Sequence, residues 1–243
     1  MKSKLQKAID NNHGIYEAVF DSQRIPWTKN DDIWYSISKV PPFNSNLVTR
    51  SASWQPEEIF KSIDQASIEE KWKTWSIKDS FNVLDLKPQG FEKLFDAQWL
   101  YLEAGKFLPT ENTSVLSYVL VRNEMELQQW REFWSKSNEG ANAVPIYRNA
   151  IMGDKNLSFM LGMNKVHEVV SIFLLNRTDD VVGISNFYAP GTLLYWSDAI
   201  KYIQHRWGPI DIVGYERKAL LDELQVIGVE AVGDLSVWLK KNG

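Results

Sequence analysis

Apolar residues recur along the chain in two rhythms, at helical spacing and at every second position, and the rhythm changes at glycine and proline. Residues 2–11 place Leu5, Ala8 and Ile9 on one helical face. IWYSISKV (33–40) is rich in β-formers, PPFN (41–44) breaks it, and SNLVTRSA (45–52) suits a second strand. Residues 53–66 predict a helix: Ser53 stands as N-cap, Pro56 in the first turn, Glu57 and Glu58 near the positive helix end, and Ile59, Phe60 and Ile63 recur at helical spacing. KWKTWSI (71–77) reads as a strand, SFNVLDLKPQGF (80–91) as a short helix stopped by Pro88 and Gly90, and FDAQWLYLEA (95–104) as a strand.

GKFLPTENTS (105–114) is polar, holds Gly105 and Pro109, and separates two strand-like runs, so it is the best boundary for two units, 1–108 and 112–243. Beyond it, VLSYVLVRN (115–123) predicts a strand and EMELQQWREFWSKS (124–137) a helix with Leu127, Trp130 and Trp134 on one side. Residues 138–156 are rich in loop formers, with a helical turn in VPIYRNAIM. Strands follow at 157–164 and 168–176, with 181–189 as an antiparallel return across a polar turn. Residues 193–208 predict a helix with Tyr195, Ala199, Tyr202 and Ile203 on one face. The tail DIVGYERKALLDELQVIGVEAVGDLSVWLKK reads as strand, helix to Gly228, then a strand or hairpin around Gly233-Asp234. Each unit ends in strand, helix, strand, which suggests an internal structural repeat. Crossover and hairpin strands together predict an α/β or α+β fold with a mixed sheet.

Composition narrows the function. With no cysteine among 243 residues, disulfides, thiol nucleophiles and cysteine-based zinc sites are excluded. No apolar run reaches the ~18–20 residues of a membrane span, and the N-terminal stretch lacks the apolar core of a signal peptide. The cytoplasm is the expected compartment. A net charge of −4, with lysines diluted by acids on the same elements, argues against a nucleic-acid partner. Eleven tryptophans could form flat walls around an acyl, aromatic or sugar ligand, or simply a Trp-rich core. His13, His167 and His205 show no metal-ligand spacing, so no metal is expected. Neither Gly-x-Ser-x-Gly nor a P-loop occurs.

The tail resembles the end of a GNAT (N-acetyltransferase superfamily) domain, with Gly228-Val229 where the family usually has Gly-Phe. The hairpin EVVSIFLLNRTDDVVGISNFYA and helix 193–207 match the family's central strands and cofactor-side helix in order. VPPFNSNLVTRS, WKTWSIKDSF, Gly90-Phe91 and DAQWLYLE are similar to the truncated first half of tandem GNAT proteins. Together these cover about 35–240, and they imply a tandem GNAT fold that transfers an acyl group from acetyl-CoA or another acyl-CoA to a small-molecule amine or peptide.

The resemblance also says where to look. The family's pyrophosphate loop falls at APGTLLYW, which lacks its Arg or Gln and has one glycine; Phe187, Ala189, Gly191 and Thr192 are the positions left to meet a cofactor. A turn with Thr192 as N-cap explains the same residues. The family's general acid, a Tyr four residues before the glycine, is replaced by Leu224 on an apolar stripe with Leu220, Leu221 and Ile227. Tyr215 and Tyr188 are the nearest substitutes as acid, and Glu168 and Glu216 the candidate bases, Glu216 being equally a helix cap. The resemblance implies a cofactor slot if strands 168–174 and 211–215 stand apart at the level of Gly191. The alternative to a transferase is a non-catalytic binding protein with a Trp-lined cleft on the same scaffold.

Overall fold

The computed structural model describes residues 2–53, 57, 60, 74–110, 116–138, 141–178, 180–189 and 192–241. Most of the helix expected over 53–66 and the start of the strand at 71–77 lie outside them. The described strands are β1 (Thr28–Lys29), β2 (Ile33–Tyr35), β3 (Leu47–Thr49), β4 (Thr74–Asp79), β5 (Glu92–Leu102), β6 (Ser117–Leu120), β7 (Leu157–Met163), β8 (Val169–Thr178), β9 (Val181–Tyr188), β10 (Asp211–Glu216) and β11 (Glu230–Lys241). The α-helices are α1 (Lys4–Gln23), α2 (Glu124–Ser137), α3 (Thr192–Trp207) and α4 (Lys218–Leu224).

All these strands join one mixed sheet in the order β1-β2-β3-β4-β11-β5-β10-β9-β8-β7-β6. Two pairs are parallel, β3 with β4 and β9 with β10. The long strands at the centre are out of sequence order. β5 lies between β11 and β10, and β11 between β4 and β5, all antiparallel.

Side chains alternate along β5 and divide the core. Ala97, Trp99 and Tyr101 face α1 together with Val213 and Leu235. Leu100 and Leu102 face the other way, under Trp196, Ala199, Ile200 and Ile203 of α3 and Leu221 and Leu224 of α4. The second half of α1 packs with Leu127, Trp130 and Trp134 of α2 over β7 and β8. Trp34, Trp75, Trp99, Trp130, Trp134 and Trp196 are all at most 2 % exposed, so most of the tryptophan excess fills the core.

Two expectations change and one open choice is decided. α1 runs past residue 11 to Gln23, because its polar residues there are buried and bonded rather than exposed. Asn11 Nδ2 donates to the Asn176 carbonyl (2.9 Å) and Thr178 Oγ1 (2.8 Å), and Asn176 Nδ2 donates to the Asn11 carbonyl (2.6 Å). Residues 80–91 form no α-helix: the buried Asp79 carboxylate accepts from the Phe81 N–H (3.1 Å) and Leu84 N–H (2.8 Å), which holds a turn, and only Lys87–Gln89 make a 3₁₀ turn before Gly90. Of the strand or hairpin expected for the tail, the structure has the single strand β11. Gly233 marks an irregularity of β11 against β5 where a Cβ would lie 2.9 Å from Leu5 Cδ1, so the glycine permits α1 to approach.

Candidate active site

The β9–β10 ladder has three rungs, Asp211 with Val181, Ile212 with Val182 and Val213 with Gly183. β9 continues to Tyr188 and β10 to Glu216 without further pairing to each other. Local sequence explains the parting. Ile172 of β8 pairs with Tyr188 and Leu174 with Ser185, so Asn186 and Phe187 together oppose the single residue Phe173. This is a β-bulge, which bends the strand that carries it. Asn186 adopts φ 51, a left-handed conformation that asparagine tolerates better than most residues. One residue past the last rung, a Cβ on Gly214 would stand 2.6 Å from the Ile184 carbonyl oxygen, so a glycine is needed there.

A cleft of about 250 Å³ occupies the opening, lined by Phe95 and Ala97 of β5, Ser185, Asn186, Phe187 and Tyr188 of β9, and Tyr215, Glu216 and Arg217 at the end of β10. The slot expected between strands 168–174 and 211–215 therefore lies one strand over, because β9 stands between β8 and β10. No described tryptophan lines it. Trp134 supports it from behind, donating its indole N–H to Asn186 Oδ1 (3.1 Å), while Asn186 Nδ2 donates to the Tyr147 hydroxyl (2.7 Å).

Tyr215 and Glu216 both reach the cleft. The Tyr215 ring packs edge-on against Trp99 at 5.6 Å, and its hydroxyl has no hydrogen-bond partner among the described residues. Burial, with smaller contributions from neighbouring tyrosines and Glu216, pushes its phenol far above the ordinary range, so it stays protonated. Half-buried Glu216 has its carboxyl pushed up from 4.5 to about 7 by burial, against the smaller opposing effects of the Arg217 N–H and positive charge. Tyr188 also lines the cleft, but its hydroxyl donates to Asn138 Oδ1 (2.7 Å).

Glu168 is not part of this group. It is exposed in the turn between β7 and β8, where its carboxylate accepts from Asn164 Nδ2 (3.0 Å) and its N–H donates to Asn164 Oδ1 (2.9 Å). Phe187 lines the cleft and packs on Phe173 (5.6 Å) and Trp196 (4.6 Å). Ala189 is the residue after β9, Thr192 opens α3, and Gly191 lies outside the described residues. Leu224 is fully buried, as its stripe predicts. Among the described residues no cluster of histidine and carboxylates could hold a metal, and no helix is long and apolar enough to cross a membrane.

Sequence reading missed Asn186, although an asparagine inside an otherwise β-forming run is a bulge signal. It also missed Arg217, Phe95 and Ala97, the last two because β5 reaches the cleft only through long-range pairing.

The other parallel pair is different. β3 and β4 pair through Leu47 with Ile77 and Val48 with Lys78, and the next residues stay joined because the Ser80 N–H donates to Thr49 Oγ1 (2.8 Å).

No family model and no curated protein matches the chain. Solved structures do. A GCN5-related N-acetyltransferase from Kribbella flavida superposes with TM-score 0.68 at 13% identity, covering 100% of this chain and 97% of its own. A conserved protein of unknown function from Staphylococcus epidermidis gives 0.65 at 14% identity, covering 92% and 98%. A tandem GNAT protein from the clavulanic acid biosynthesis pathway gives 0.56 at 8% identity, covering 98% and 95%. The chain has the GNAT fold, a mixed α/β architecture shared over nearly its whole length with N-acetyltransferase structures, one of them a tandem protein.

Proposed function

We propose that this protein is an N-acyltransferase that carries an acyl group from acyl-CoA, acetyl-CoA in the first instance, to a small amine bound between β9 and β10. One observation carries this reading: the strands part after Val213 and Gly183, and Tyr215 and Glu216 stand together at the opening.

The open strand edge suits the amide arm of the cofactor. From Ile184 onward the edge of β9 toward β10 has no ladder partner, so its N–H and C=O groups are available to an extended amide chain. In sequence, α3 begins at Thr192, four residues after β9 ends at Tyr188. When bound, acyl-CoA supplies an activated thioester. Glu216, poised near neutrality, takes a proton from the incoming amine, and the protonated Tyr215 hydroxyl offers one to the departing sulfur. Tyr215 is better placed as acid than Tyr188, whose proton is engaged by Asn138. A volume of about 250 Å³ favours a small amine over a peptide.

We further read the chain as two GNAT-like units, 1–108 and 112–243, acting in the cytoplasm. Supporting this, each stretch contributes one parallel strand pair, and each sends a strand, β5 or β11, between strands of the other.

Titration calorimetry and thermal shift with acetyl-CoA and longer acyl-CoAs test the proposal. Heat and a raised Tm are expected. Silence from every acyl-CoA would leave a binding protein for another ligand. Thiol release can be followed with a thiol reagent, because the protein has no cysteine to contribute background.

A further inference from the structure

Lys78 is the most enclosed cation in the described structure, at 1 % exposure. It leaves β4 on the side of the sheet that faces α1, and its amine lies among Asn12 and Tyr16 of α1, Trp99 of β5 and Tyr215 of β10. Its Nζ donates to Asn12 Oδ1 at 2.7 Å. It lies 3.8 Å from the centre of the Tyr215 ring, 4.6 Å from that of Trp99 and 5.9 Å from that of Tyr16. No carboxylate pairs with it among the described residues. Burial pushes its ammonium well below the ordinary lysine range.

A surface lysine would normally keep its amine in water, so this one needs a reason to be inside. An ammonium or an amine N–H is attracted to the face of an aromatic ring, and both states can hold one. The Tyr215 ring packs against the cluster under α1, with Trp99 against it at 5.6 Å and Lys78 over its face, and no hydrogen bond pins its hydroxyl among the described residues. The direction of the phenol O–H in the cleft thus depends on how the ring is held.

We propose that Lys78 is a positioning residue for Tyr215: anchored by Asn12, its amine holds the ring so that the hydroxyl faces the cleft. The catalytic consequence rests on the proposed transferase reading, while the hold on the ring does not. If so, β4, whose own parallel partner is closed against it by Ser80 and Thr49, serves the cleft between β9 and β10 through one side chain.

The experiment compares wild type, Lys78→Met and Asn12→Ala with ring-labelled tyrosine. The Tyr215 signals are identified by their loss in Tyr215→Phe. Lys78→Met keeps the apolar stem and removes a buried polar group, so it is expected to fold; Asn12→Ala releases the amine without removing it. The Tyr215 ring-flip rate should rise about tenfold or more in both variants, with the rates of Tyr147 and Tyr188 unchanged. An unchanged Tyr215 rate in both variants overturns the proposal, and so does an equal rise at all three rings, which would indicate general loosening. In turnover, Lys78→Met should lower kcat roughly tenfold, leave the KM for acetyl-CoA in place, and add nothing in a Tyr215→Phe background. An equal loss with and without Tyr215 overturns the link between the two residues. Absence of any transfer in wild type would sink the transferase reading, and the ring-flip measurement would still decide on Lys78.

Discussion

Val213 of β10 and Gly183 of β9 form the last rung between these strands, and two residues beyond it Tyr215 faces an open cleft rather than a neighbouring strand. Strand separation and candidate chemistry thus begin at the same point of the sheet.

Glu216 should set the pH profile. Its carboxyl titrates at about 7, so kcat/KM is expected to rise with pH through about 7 and then level. Glu216→Gln should lose about 10²- to 10⁴-fold in rate and the rising limb with it. A profile that keeps its limb in the variant would exclude Glu216 as base.

The same shift has a stability counterpart of fixed sign. Between its ordinary 4.5 and about 7 the folded protein holds a proton that the unfolded chain has released. Glu216 therefore makes the fold less stable as pH rises across that window, and Glu216→Gln removes this loss. Urea midpoints in mildly acidic and mildly alkaline buffer, compared between wild type and variant, should show a smaller decline in the variant.

The two tyrosines should separate. Tyr215→Phe removes a hydroxyl with no other described partner and should cost about 10²-fold or more in kcat. Tyr188→Phe breaks the bond to Asn138 and should act mainly on stability, by about 1 kcal/mol. Equal turnover in wild type and Tyr215→Phe would remove it as the acid.

A tyrosine placed at position 224 should not supply an acid to the cleft. Leu224 is fully buried between α4 and the sheet, so Leu224→Tyr overpacks the core and should cost about 1–3 kcal/mol. Chemical denaturation measures the cost, and a variant with raised turnover would show that a route to the cleft exists from that helix.

Packing of α1 can be tested at Gly183. A Cβ there would stand 1.9 Å from Asn11 Oδ1, so Gly183→Ala must displace α1 or break the bonds that Asn11 makes to Asn176 and Thr178. A loss of roughly 1–3 kcal/mol in urea unfolding is expected.

Much of the fold was legible in local pattern. α2 matches the periodicity of Leu127, Trp130 and Trp134 at both ends, because that stripe is also its buried face. α1 was cut short at residue 11, since Asn11, Asn12 and His13 look like surface residues until their distant partners are known. In α3 the buried stripe is centred on Trp196, Ala199, Ile200 and Ile203, with Tyr195 and Tyr202 only half-buried at its side. Tyr215 and Glu216 could be singled out from the sequence because they end a strand. Lys78 could not, because an alternating stretch with lysines reads as a solvated strand face and its ring contacts span residues 16 to 215.

The placement of β5 also sets a schedule for folding. Residues 92–102 emerge from the ribosome long before either strand that flanks them, since both β10 and β11 lie in the last part of the sequence given. Until residue 241 is available, the middle of the sheet has bare edges on a strand carrying Trp99, Leu100, Tyr101 and Leu102. Chains with such distant pairings gain their contacts late and fold slowly. Expression yield should therefore depend on whatever shields that strand during synthesis, more than on the stability of the finished molecule.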